Sequence, residues 1–116
     1  MTQTGLEAIA RTEGDATVLE LHGEIDGSAR DALRSAYDAG RTDGPLILDF
    51  GAVGYINSTG IALIVGLLAR ARADARKISA SGLSPHYREI FEITRLSDFM
   101  TILAEDGTQQ GEQPDE

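Results

Sequence analysis

The stretch from Pro45 to Ala75 constrains this chain more than any other. Leu46-Ile47-Leu48-Asp49-Phe50 is a short apolar run after a proline, which suits a central strand buried on both faces. A loop with Gly51 and Gly54 then leads to Asn57-Ser58-Thr59-Gly60, where a helix begins that runs from about Thr59 to Ala75. Its first half is apolar on nearly every side, through Ile61, Ala62, Leu63, Ile64, Val65, Leu67 and Leu68. Such a helix has to be covered by something, so these residues are expected mainly in the core, with a few able to reach the surface. Its second half carries Arg70, Arg72 and Arg76, which complement the negative end of the helix dipole.

The flanking segments supply the partners. Leu6, Ala8 and Ala10 alternate with Glu7, Ile9 and Arg11, a strand pattern, and Glu13-Gly14-Asp15 reads as a turn. Ala16 to His22 reads as a second strand, with Leu19 and Leu21 on one face and Glu20 and His22 on the other, so the pair forms a hairpin. Ser28 is expected to start a helix, with Asp31 at capping-box spacing, an apolar stripe of Ala29, Ala32, Leu33, Ala36 and Tyr37, and Gly40 as a left-handed cap. Lys77 to Ser81 reads as a strand. Ser84-Pro85 starts a shorter amphipathic helix through Tyr87, Ile90, Phe91 and Thr94. Leu96 to Phe99 gives one more turn, and Met100 to Leu103 a last strand. Strands alternating with helices predict an α/β domain with a mixed sheet and helices packed mainly on one face. The domain is expected over residues 1–104, and residues 105–116, rich in Glu, Asp, Gln, Gly and Pro, are expected to form a disordered acidic tail.

Composition narrows the function. The 116 residues include no cysteine, which removes disulfides, thiolate zinc sites and thiol nucleophiles. Only His22 and His86 could supply imidazole, and neither is assigned a function; no metal and no cofactor is expected. The formal net charge of −9 disfavours nucleic acid and anionic membranes and would speed encounter with a basic protein surface. The N-terminus lacks the basic start and apolar run of a signal peptide, and the apolar stretch from Ile61 to Ala69 is far too short to span or insert into a membrane, so a cytoplasmic protein is expected.

Function in open α/β sheets sits where strands turn into helices, which directs attention to Asn57-Ser58-Thr59-Gly60. A serine there can simply cap the helix. It can also carry a phosphate, whose roughly −1.5 to −2 charges would be tolerated at the positive end of the helix dipole. Enzymatic readings lack support. Ser58 has no Gly-x-Ser-x-Gly elbow, and the dinucleotide fingerprint and the phosphate-binding P-loop are absent. Asp49 at a strand end invites comparison with a response-regulator receiver, but no acidic pair follows the first strand, and the only lysine, Lys77, starts a strand.

Three motifs in order carry a resemblance: Gly23-Glu24-Ile25-Asp26, Asn57-Ser58-Thr59-Gly60-Ile61, and Leu83-Ser84-Pro85 followed by Ile90-Phe91-Glu92-Ile93-Thr94. Together they make the sequence similar to the STAS-domain anti-sigma factor antagonists from about Ala16 to Leu103. The resemblance implies a non-enzymatic STAS-like fold whose Ser58 is phosphorylated by a partner anti-sigma factor that is itself a serine kinase. Thr59 would be a secondary acceptor. Asp26, Asn57, Ser58, Thr59 and Gly60 would form the partner-binding surface. The unphosphorylated chain would bind the anti-sigma factor and free its sigma factor, and a serine phosphatase would reset the switch. The chain departs from the family pattern at Asn57, where Asp is usual, and at Arg95, where Gly is frequent. Asp26 has a structural role open to it as well, since an acidic residue before a helix favours the dipole. The same resemblance leaves a second function open, that of a non-catalytic STAS subunit of a membrane lipid or solute transporter.

Overall fold

The computed structural model describes residues 5–40 and 43–103. Five strands lie in one sheet in chain order: β1 (Leu6–Glu13), β2 (Ala16–Ile25), β3 (Leu46–Ile56), β4 (Ile78–Ser81) and β5 (Thr101–Ile102). β1 and β2 form the expected antiparallel hairpin; the remaining neighbours are parallel. Three α-helices occupy the crossovers, α1 (Arg30–Ala39), α2 (Ser58–Ala73) and α3 (Pro85–Ile93), with 3-10 turns at Gly27–Ala29 and Leu96–Asp98.

Strand order equal to chain order fixes where the helices go. Every parallel crossover steps in the same direction, and right-handed connections then place every helix on the same face. The core follows this geometry. Leu19, Leu21, Leu46, Leu48, Phe50, Ile78 and Ala80 point from the sheet toward Leu33, Ala36 and Tyr37 of α1, Ile64, Leu67 and Leu68 of α2, and Phe91 of α3. Phe91 stands edge-on to Phe50, with centroids 5.7 Å apart and planes at 88°. Each Leu, Ile and Phe among them contributes roughly 1.5–3 kcal/mol on full burial. The other face, with Arg11, Glu20, His22 and Asp49, has no described helix over it. Arg11 there bonds both Glu13 and Glu20, which lowers the Glu20 carboxyl below its ordinary range. β3 is therefore central but buried on one face only: Leu46, Leu48 and Phe50 are buried, whereas Ile47 and Asp49 are partly exposed.

Several local expectations are corrected. β3 does not end at Phe50 but runs through Gly51 and Gly54 to Ile56, because β2 extends past His22 to Ile25 and supplies a pairing partner as far as Ile25 opposite Ile56. Continuous pairing overrides the poor strand propensity of glycine. Gly23 sits at a register shift in this ladder with φ +109°, and a Cβ there would lie 2.3 Å from the Gly5 carbonyl oxygen, so only glycine fits.

Ser28 does not cap α1, and the capping box with Asp31 does not form. Asp26 caps the preceding 3-10 turn instead, accepting the Ser28 N–H at 2.9 Å and the Ser28 hydroxyl at 2.6 Å. Gly40 is not left-handed (φ −82°); it is small because a Cβ would lie 2.5 Å from Thr17 Cγ2. α2 starts at Ser58 and ends at Ala73, so Arg76 lies beyond it. Arg76 is only 5% exposed, its Nε donates to the Gly44 carbonyl at 2.8 Å, and its guanidinium sits 5.1 Å from the Tyr37 ring centroid. It ties the α2–β4 loop to the loop before β3 rather than serving the dipole. Ser84 caps α3 with Pro85 in its first turn, as expected. The tail from Glu105 onward lies outside the described residues.

Candidate functional site

Parallel β2 and β3 end side by side, and each hands over to a polar residue, Asp26 and Asn57. The Asn57 N–H donates to the Ile25 carbonyl at 3.2 Å, tying the two exits together. Asn57 Oδ1 accepts the Gly60 N–H at 2.8 Å, and its carbonyl accepts the Ile61 N–H at 2.9 Å. Asn57 is thus the N-cap of α2. The reading of Ser58 as the capping side chain is corrected: Ser58 is the first helical residue, and it is exposed.

Gly60 explains why the turn lies where it does. A Cβ there would fall 1.9 Å from the Ile25 carbonyl oxygen, so the helix start rests directly on the end of β2. A Cβ on Gly27 would meet the Thr59 methyl at 3.4 Å, which sets the Asp26-Gly27 turn against Thr59. From α3, the Tyr87 hydroxyl oxygen accepts the Ile56 N–H at 2.9 Å and braces the strand end one residue before Asn57. The five residues singled out in the sequence therefore gather at one sheet edge.

The electrostatics there are asymmetric. The Ser28 hydroxyl, and after it the Ser28 N–H, hold the Asp26 carboxyl below the usual carboxylate range, so it is ionised at neutral pH. α2 has no acidic residue in its first turn, and Arg70 and Arg72 stand in its last. The N–H groups of Ser58 and Thr59 have no hydrogen-bond partner among the described residues. The Ser58 hydroxyl likewise makes no bond there, so no side chain is placed as a base to activate it as a nucleophile. The arrangement can present a hydroxyl and receive an anion on it.

One exposed surface beside this turn was not assigned from the sequence. The solvent face of α2 continues from Thr59 through Ala62, Val65, Gly66 and Ala69, all exposed and uncharged, with Val65 at 46%. Tyr55, 50% exposed, stands near the end of β3. The signal was the helix being apolar all round; which residues would be left outside depended on packing. On the open sheet face, His22 Nε2 lies 3.6 Å from Glu20 Oε1, and no group of three metal-binding side chains occurs among the described residues.

Comparison with known proteins identifies the family. A family model described as "Mlab, STAS domain" matches residues 9–104. The anti-sigma-B factor antagonists of Listeria monocytogenes and Listeria innocua are each 31% identical over 91 residues, covering 77% of this chain and 80% of theirs. The chain belongs to the STAS-domain anti-sigma factor antagonist family.

Solved structures give the same fold at lower identity. An anti-sigma factor antagonist from Mycobacterium paratuberculosis superposes with a TM-score of 0.64 at 17% identity, covering 84% of both chains. The phosphorylated form of the Bacillus cell fate determinant SpoIIAA gives 0.62 at 22%, covering 85% of this chain and 93% of that one. Within the STAS family this chain's two departures now have physical content. Asn57 supplies the cap with a neutral side chain. Arg95 occupies a left-handed position, φ +68°, just after α3, where a glycine would be unstrained. No described helix is long and apolar enough to cross a membrane.

Proposed function

We propose that this STAS domain is an anti-sigma factor antagonist whose contact surface is the Ser58 turn together with the solvent face of α2, and that phosphate on Ser58 ends the contact. The observation that carries this reading is the exposed, unbonded Ser58 hydroxyl at the first position of α2, beside an uncharged, largely apolar helix face. Asp26, Asn57, Thr59 and Gly60 frame that hydroxyl, and Thr59 is the secondary acceptor. The partner is an anti-sigma factor that is also a serine kinase. In its kinase step Ser58 Oγ bonds to the γ-phosphorus of ATP, the bond to ADP breaks, and the hydroxyl proton leaves to the kinase or to solvent. A serine phosphatase reverses the state by hydrolysis, restoring the hydroxyl and releasing inorganic phosphate. The unmodified chain, before phosphorylation and again after dephosphorylation, holds the anti-sigma factor and frees its sigma factor in the cytoplasm.

The switch is local electrostatics. The phosphate adds about −1.5 to −2 charges at an interface suited to a hydroxyl, beside the Asp26 carboxylate, where like-charge repulsion and desolvation oppose docking. A loss of about 1.4 kcal/mol weakens binding tenfold. The helix start itself tolerates the charge, so the fold persists.

Phosphopeptide mapping after incubation with the kinase and ATP tests the acceptor, with modification expected on Ser58. Calorimetry should find Ser58→Asp binding at least tenfold more weakly than Ser58→Ala, with matching circular dichroism spectra. Equal affinities would remove charge at position 58 as the switch. Capture of a transporter ATPase, in place of a kinase-like ATPase, would replace this reading with the transporter-subunit one.

A further inference from the structure

We propose that Asn57 tunes the charge state of phosphorylated Ser58: as a neutral cap it leaves the phosphate mostly dianionic at neutral pH, where a carboxylate at the same position would make its second proton harder to lose and leave more of it monoanionic. The inference rests on Ser58 being the phosphoacceptor and concerns how strongly the modified state is held off.

Asn57 cannot withdraw from its neighbour. Its N–H is bonded to Ile25, its carbonyl to Ile61 and its Oδ1 to Gly60, so the side chain is locked into the turn one residue from Ser58. A phosphate on Ser58 meets the unpartnered N–H groups of Ser58 and Thr59 and no acidic group in the first turn of α2. Charged or titratable groups on the surrounding elements are Glu24 and Asp26 at the end of β2, Tyr55 at the end of β3, Arg30 and Asp31 at the start of α1, and His86, Tyr87, Arg88 and Glu89 at the start of α3. Asp26, whose carboxylate is turned back onto Ser28, is the standing negative charge beside the turn.

Phosphoserine loses its second proton near pH 6, so modest fields decide how much dianion is present at neutral pH. With that ionisation at about 6, about nine-tenths of the phosphate is dianionic at pH 7; raised by about half a unit to about 6.5, about three-quarters is. Asp caps a helix about as well as Asn, so Asn57→Asp changes charge and little else. One added charge about 6 Å away in a water-like dielectric moves the ionisation upward by about half a pH unit.

The test installs phosphoserine at position 58 directly during synthesis, so no kinase is required. Phosphorus NMR titrations from pH 4 to 9 compare the natural sequence with Asn57→Asp and Asn57→Ser. The natural chain and Asn57→Ser, both neutral caps, should titrate together at or below about 6, and Asn57→Asp about half a unit or more above them. The three unphosphorylated chains should melt within about 2 °C of one another, since their caps are near-equivalent. Coincident titration of all three, an equal shift in Asn57→Ser, or a melting temperature several degrees lower for unphosphorylated Asn57→Asp would overturn the inference. A kinase that ignores Ser58 would overturn the reading of the site and leave these titrations unaltered.

Discussion

Arg95 holds φ +68° between α3 and the turn at Leu96–Asp98, a conformation that crowds the Cβ of every L-residue. Its guanidinium bonds Asp98 at 2.8 Å, but both groups are exposed, and such pairs contribute about 0–1 kcal/mol. The backbone penalty outweighs the pair. Arg95→Gly should therefore stabilise the domain by about 0.5–1 kcal/mol, raising the melting temperature by roughly 2–6 °C in differential scanning calorimetry. An unchanged or lower temperature would mean that the Asp98 pair decides this position. At Gly60 the constraint is contact, not conformation: the Ile25 carbonyl leaves no room for any side chain. The sequence identified both positions as motif members or departures but could not give these reasons, since φ angles and the approach of Ile25 belong to the folded chain.

At the scale of an element, α2 departs from ordinary amphipathic patterning. Ile64, Leu67, Leu68 and Ala71 fill the core, while Ala62, Val65, Gly66 and Ala69 remain outside without charge. Ala62 and Ala69 favour the helix by propensity, but an exposed Val65 and Gly66 add nothing to it, and an uncharged outer face is the kind of surface the proposed partner would cover. Val65→Glu should leave the melting temperature nearly unchanged, because surface substitutions fall within about 0.5 kcal/mol. It should weaken binding of the anti-sigma factor at least tenfold in calorimetry. Undiminished affinity would take the α2 face out of the interface and leave only the Ser58 turn.

For the whole molecule, one-sided packing separates functions. The helices and the sheet face beneath them make the core, the open face carries paired charges, and the C-terminal edge of β2 and β3 carries the proposed site. The described chain closes with the Leu103 N–H bonded to the Ala80 carbonyl at 2.8 Å. Residues 105–116 hold five of the nineteen carboxylate side chains and few apolar groups. A chain ending at Ala104 should melt within about 3 °C of the full chain, since so little apolar surface is removed. Its association with a basic partner should slow and lose part of its salt dependence, as long-range steering follows net charge. A large drop in melting temperature would show that the tail packs on the domain.

The sequence by itself determined the element order, the hairpin, the α1 stripe, the Ser84-Pro85 helix start and the serine turn. These are set by local chemistry: hydrophobic period, caps and breakers act over a few residues and can be read in a few residues. It also determined the family, through three motifs in order. Only the tertiary structure decided that β3 runs on through two glycines, that Asp26 rather than Ser28 caps the first turn, and that Asn57 frees the Ser58 hydroxyl. It alone decided that Arg76 is buried and which side of α2 faces solvent. The two caps bond only two and three residues along, Asp26 to Ser28 and Asn57 to Gly60, but the strand ends that place them, like the burial of Arg76 and the packing of α2, depend on partners distant in sequence: β2 beside β3, Ile25 over Gly60, Gly44 against Arg76. Pairing and packing energies of that kind override local propensity, and no window along the chain contains both partners.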